Sequence, residues 1–209
     1  MALGIRPFEH GLHDLGSGGY AWIQPDGGWG WSNAGLIVSE GEALLVDTLF
    51  DVPLTAEMLK AMRAAEPAAN DIGTLVNTHA NGDHCNGNEL VADAEIIASQ
   101  ATADELANDS PERLAEMMRR APEMGEVGEF FQYCFSDFDF ENVHQTLPTR
   151  TFEGELAVRC GDKAVSLKQV GPCHTQGDIL VHVPDDRLMF TGDIPVSNTL
   201  LTLPTNLRL

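Results

Sequence analysis

Short apolar runs closed by turn residues alternate along this chain with longer stretches whose apolar positions recur at helical spacing. Leu36-Ile37-Val38, the turn Ser39-Glu40-Gly41-Glu42 and Ala43-Leu44-Leu45-Val46 predict a hairpin at a sheet edge, running into Asp47. Leu54, Met58, Leu59 and Met62 repeat with helical period and stop near Glu66-Pro67, so a helix follows the second strand. Leu75-Val76-Asn77-Thr78 is a short buried strand whose C-terminal end delivers His79, and residues 95–99 form another. From 101 to 131 the spacing is helical, with Leu114, Met117, Met118 and Ala121 on one face behind an N-cap and first residue at Ser110-Pro111. Strands return at 155–159, 164–170, 178–183 and 188–190, with Pro184-Asp185-Asp186 as the last turn. Strands with one helix, then helices, then strands again predict an α/β or α+β domain, a two-layered sheet with helices outside.

A length of 209 residues suits one domain, 1–209, with a sizeable core. The segment 194–209, whose only charged residue is Arg208, is an atypical tail that fits no element. A formal charge of -20, from 32 acidic against 12 basic residues, argues against nucleic acid and against an anionic membrane surface as partners. It leaves a small-molecule substrate, and its negative field concentrates cations. The N-terminus has no apolar run of signal-peptide length, and no stretch approaches the roughly 18 apolar residues of a membrane span, so a soluble cytoplasmic protein is expected. The cysteines at 85, 134, 160 and 173 form no C-x-x-C pair, which speaks against a zinc knuckle and for free thiols in a reducing compartment.

Candidate chemistry gathers after the buried strand at 75–78. His79, Asp83 and His84 lie within six positions, beside Gly82 and Gly87, where the backbone can turn sharply. Imidazole and carboxylate suit zinc, iron or manganese. His174 lies in the loop Gly171-Pro172-Cys173-His174-Thr175-Gln176-Gly177-Asp178 between two strands, and Asp193 follows the strand end Phe190-Thr191-Gly192. Each candidate ligand thus leaves a strand end, where separate loops converge on one point.

Thr78-His79-Ala80-Asn81-Gly82-Asp83-His84 resembles the T-H-x-H-x-D-H signature of the metallo-β-lactamase superfamily. Gly171 to Asp178 is similar to that family's G-H-T-x-G-D loop, and Thr191-Gly192-Asp193 to its T-G-D element. The resemblance runs from about Asn33 to Asp193 and includes Leu45-Val46-Asp47-Thr48, which resembles the family's strand ending in a supporting aspartate. It implies a metallo-β-lactamase-like αββα sandwich with one or two zinc ions at one edge, iron or manganese being the alternatives. His79, the residue at 81 and His174 would hold one ion; Asp83, His84 and a later histidine the second, with Asp193 bridging and Asp47 orienting the metal loop by hydrogen bonds.

Two positions depart from the family's pattern. Residue 81 is Asn, whose amide oxygen is a weak ligand for zinc beside an imidazole. No histidine follows His182, so the family's last ligand is missing, along with the final strands and helix that carry it; the C-terminal portion is expected to be incomplete. Apolar surface left open there would favour a homo-oligomer.

A divalent ion in such a centre lowers the pKa of water toward about 7 and polarises the carbonyl under attack. Asp83 is the catalytic candidate to orient or deprotonate that water. The resemblance implies hydrolysis of a β-lactam, lactone, thioester or other ester; an iron-dependent oxidation on the same fold and an inactive fragment that keeps its metal loops are the alternatives. Cys85 and Cys173 neighbour predicted ligands, but buried free cysteine is the commoner role. Trp29 and Trp31 either wall the substrate pocket or pack within a hairpin.

Overall fold

In the strands of this chain alternate side chains part to opposite faces, and that alternation builds two cores. Residues 9–25 and 28–194 are described by the structure, a computed structural model. Among the described residues eleven strands make two sheets. The first holds β1 (Gly11–Gly16), β2 (Gly19–Ile23), β3 (Ala34–Ser39), β4 (Glu42–Val46), β5 (Ile72–Val76), β6 (Glu95–Ser99) and β7 (Arg150–Phe152), in that order. Pairing is antiparallel from β1 to β4 and parallel from β4 to β7. The second sheet is antiparallel, ordered β11 (Leu188–Phe190), β10 (Ile179–Val183), β9 (Lys163–Gln169), β8 (Glu155–Cys160).

On one face of the first sheet Leu36, Leu45, Leu75 and Ile96 pack against Met58, Leu59 and Met62 of α1 (Val52–Ala65). On the other, Ile37, Leu44, Val46, Val76 and Ile97 meet Val165, Leu167, Ile179, Val181 and Val183 of the second sheet. The first sheet is therefore sandwiched between helix and sheet, and Asp51 starts that helix by accepting a hydrogen bond from Leu54 N at 2.8 Å. The outward positions of β8, Glu155, Ala157 and Arg159, are exposed among the described residues.

Several expectations are corrected. The hairpin at 36–46 lies inside the first sheet rather than at its edge, because β1 and β2 pair outside it. Those two strands and the three-residue β7 went unpredicted. The strand expected at 75–78 starts earlier and ends at Val76; beyond it Thr78 N leaves the ladder and donates to Asp47. The helical stretch expected at 101–131 is three helices: α2 (Gln100–Asn108), α3 (Pro111–Arg120) and α4 (Glu126–Phe135). Pro111 forces Ser110 into extended backbone, and Pro122 with Gly125 at φ 59° makes the second break. Ser110 stands at the N-cap position of α3 but makes no side-chain capping bond.

Among the described residues no helix is long and apolar enough to cross a membrane. Apart from Ile194, the atypical tail lies outside the described residues. Exposed large apolar side chains are Trp29, Leu147, Met189 of β11, and Val127, Phe130 and Tyr133 of α4.

Candidate metal centre

The ends of β4, β5 and β11 and the loop entering β10 meet at one edge of the sandwich, and the sequence-predicted donors emerge there. Asp47 leaves β4 with a positive φ of 63°, a conformation that Asp tolerates better than most residues, and its buried carboxylate is the hub. Oδ1 accepts from Thr78 N at 2.7 Å; Oδ2 accepts from Thr78 Oγ1 at 2.7 Å and from His84 Nδ1 at 2.9 Å. Because the Thr78 hydroxyl gives its proton to Asp47, its oxygen accepts from His79 Nδ1 at 2.9 Å. One carboxylate thus fixes both imidazoles through their Nδ1 atoms, His84 directly and His79 by relay, and turns both Nε2 atoms inward.

Both Nε2 atoms are buried and neither makes a well-formed hydrogen bond among the described residues, although His84 Nε2 faces Asp193 Oδ1 at 3.3 Å. A buried ring nitrogen left without such a bond costs stability unless something takes it up. The ligand atoms of His79, His84 and Asp193 all lie within 4.8 Å of one another. Two imidazoles and a carboxylate form a nitrogen–oxygen donor set that suits zinc, iron or manganese, so the residues fit a divalent ion.

Asp83 and His174 stand beside this triad. Asp83 Oδ2 is 3.7 Å from His84 Nε2, and His174 Nε2 is 3.9 Å from Asp193 Oδ2. The His79 and His174 rings meet edge to face at 5.1 Å. Asn81 is exposed on the rim of the same cleft, and its side chain makes no hydrogen bond among the described residues.

Protonation follows the surroundings. Burial, then the neighbouring His84, pushes His79 down to about 4, so it is a neutral imidazole at pH 7. Burial would lower His84 as well, but Asp47 and Asp193 outweigh it and hold His84 well above its ordinary value. The centre therefore favours positive charge at His84 Nε2, whether a proton or a metal ion. His84, whose Nε2 lies 3.3 Å from Asp193 Oδ1, holds Asp193 down at about 2, against the effect of burial, while burial raises Asp83.

Sequence reasoning missed the supports. Asn77 and Asn88 form a buried amide pair, Asn88 Nδ2 donating to Asn77 Oδ1 at 2.9 Å, and Asn77 Nδ2 also donates to the His84 carbonyl at 3.1 Å. Asp178 Oδ2 accepts from Thr175 N at 2.8 Å and Cys173 N at 3.2 Å, which shapes the loop carrying His174. The aspartate closing the 171–178 motif was the available signal. A Cβ on Gly177 would come within 2.4 Å of Ser99 Oγ, and one on Gly192 within 2.6 Å of Thr78 Oγ1, so these glycines let both outer loops close on the first sheet. Cys85 is buried, donates to the His79 carbonyl at 3.2 Å, and burial pushes its thiol well up, away from the thiolate a metal would need.

The centre opens into a cleft of ≈ 720 Å³ whose lining includes Asn81, Asp83, His174 and Asp193 together with Trp29 and Trp31. Trp29 is 63% exposed; Trp31 packs on Phe138 with ring centroids 5.0 Å apart.

Comparison with known proteins adds a family. The model of the metallo-β-lactamase superfamily matches residues 27–204. No curated protein sequence matches significantly. Among solved structures, a metallo-β-lactamase from Pontibacter korlensis superposes with a TM-score of 0.61 at 17% identity, over 88% of this chain and 71% of that one. A stereoselective inverting sec-alkylsulfatase from Pseudomonas sp. gives 0.60 at 18%, over 84% of this chain and 30% of that one. A B3 metallo-β-lactamase with an active-site glutamic acid gives 0.53 at 19%, over 81% and 55%. At these identities the likeness is one of fold.

Proposed function

This chain belongs to the metallo-β-lactamase superfamily, and from that premise we propose that it hydrolyses an ester, thioester, lactone or β-lactam carbonyl of a small molecule in a metal-dependent reaction. The observation that carries the reading is the pair of buried Nε2 atoms on His79 and His84, neither in a well-formed hydrogen bond, gathered with the Asp193 carboxylate so that their ligand atoms lie within 4.8 Å of one another. His79, His84 and Asp193 would hold an ion, zinc being the first expectation from the donor set; Asp83, His174 and Asn81 complete the ring of donors for one ion or two. A bound divalent ion supplies acidified water and polarises the carbonyl.

The chain's own groups do the rest. Asp47 and Thr78 keep both imidazoles in the tautomer that presents Nε2. Asp83, in the cleft lining, would orient the attacking water and accept its proton; burial raises its carboxyl above the ordinary carboxylate value. The cleft would receive the substrate, with its carbonyl near Asp83 and Asp193 in the lining.

The test is a panel of lactones, thioesters, esters and β-lactams assayed before and after chelation. Turnover that disappears with chelator and returns with Zn²⁺ is expected. Turnover that survives complete metal removal, or a metal-loaded protein inert toward every member, contradicts the reading; return with Fe²⁺ and oxygen consumption would move it to oxidation.

A further inference from the structure

Besides the metal donors the cleft carries an apolar lining. Trp31, Phe50, Leu114 and Met117 of α3, Phe135 of α4 and Leu147 form it, from five separate parts of the chain. A packed aromatic cluster stands behind them: Phe50 meets Phe138 at 4.8 Å, Phe140 at 4.9 Å and Phe135 at 5.9 Å between ring centroids. This wall is preformed, so an apolar group laid on it gains burial without reorganising the site.

Charge on the rim points the same way. Among the described residues Arg113 is the one Lys or Arg that lines the cleft, and its guanidinium is 3.2 Å from Asp109 on the same rim. Asp83, Asp109 and Asp193 are the acids. An anionic group pressed against the wall would lose its water and find no unpaired cation, in the field of a chain carrying -20.

We propose that the substrate lays a neutral, apolar arm against this wall, and that the cleft selects against molecules carrying an anionic group on that arm. This rests on the hydrolase reading for the word substrate, but the selectivity belongs to the cleft and is read by binding alone.

Phenyl ketones, which have no leaving group, are the probes: acetophenone, butyrophenone, hexanophenone, and hexanophenone bearing a terminal sulfonate, itself a poor metal ligand. Calorimetric titration of the full chain as purified is expected to show affinity rising about two- to fourfold per added methylene, with the sulfonate bound at least tenfold more weakly than hexanophenone. Met117→Asp should flatten the series; Leu147→Asp, at a 41% exposed position, does the same job if the first variant folds poorly. Asp109→Asn, which frees Arg113, should strengthen sulfonate binding severalfold and leave the ketones unchanged.

A flat series in the native chain, sulfonate binding equal to that of hexanophenone, or no response to Asp109→Asn would overturn the proposal. If the ketones behave as expected while no ester is turned over, the hydrolase reading fails and the selectivity stands.

Discussion

The two sheets contribute to the metal centre in different ways. Donors from the first sheet, His79 and His84, are almost fully buried and locked through Nδ1 to Asp47. Those from the second, His174 and Asp193, have side chains 30% and 44% exposed, and the loop of His174 is shaped by the Asp178 carboxylate through backbone N–H groups rather than through the imidazole itself. The first sheet sets donor geometry before any ion arrives. The second supplies donors that can adjust around it, which is where an exchangeable coordination position and an opening to substrate belong.

Removing the hub should have the largest effect. Asp47→Ala leaves Thr78 N, Thr78 Oγ1 and His84 Nδ1 buried without an acceptor, and urea denaturation should show a loss of about 3–5 kcal/mol. Metal affinity should fall by about 10–100-fold or more. Asp178→Ala, which leaves Thr175 N without its acceptor and Cys173 N with only the Thr175 carbonyl, in the half-exposed loop of the second sheet, should cost about 1–2 kcal/mol. If Asp178→Ala proved the costlier change, the contrast between the two sides would be wrong.

Gly177→Ala sharpens the comparison from the other side. The added Cβ would sit 2.4 Å from Thr102 N and from Ser99 Oγ, so the loop must back away from α2, at about 1–3 kcal/mol by thermal unfolding. Asn81→His replaces an exposed amide on the cleft rim with an imidazole and should raise zinc affinity about tenfold in competition with a chelator. An unchanged affinity would mean that position 81 does not reach the ion.

The smallest expected effect lies far from the centre and serves as a control on the first sheet. Tyr20 of β2 donates to Glu66 beyond the end of α1, and that bond, then burial, raises its phenol to about 12. A phenol raised in the folded state contributes stability that is complete below its unfolded pKa of about 10 and is lost as pH climbs toward 12. Tyr20→Phe should flatten the fall in stability between those limits and leave metal content unchanged.

Much of this architecture was legible because it rests on repeating patterns. The apolar run Leu36-Ile37-Val38 marked a strand, whose Leu36 and Ile37 fall in different cores, and helical spacing found Met58, Leu59 and Met62. β1 and β2 were not legible, since Gly11, Gly16 and Gly19 dilute an edge hairpin of half-buried positions. At the centre the motifs bring His79, His84 and Asp193 together as a group. The Asn77–Asn88 pair has no sequence signature: two amides eleven positions apart meet only because short 3₁₀ turns fold the metal loop back under itself. The sequence left the tryptophans between a pocket wall and hairpin packing; in the structure Trp31 lies in the cleft lining and packs on Phe138, a contact over one hundred positions away that no local pattern encodes.

The most direct test of the central claim is metal content per chain by elemental analysis, on protein purified without added metal, for the native sequence and for His79→Ala, His84→Ala and Asp193→Asn. The account predicts about one or two equivalents of a divalent metal in the native chain, nearly all lost in the two histidine variants and partly lost in the third. A folded native chain with no metal after incubation in Zn²⁺, or histidine variants that keep the full complement, would contradict it.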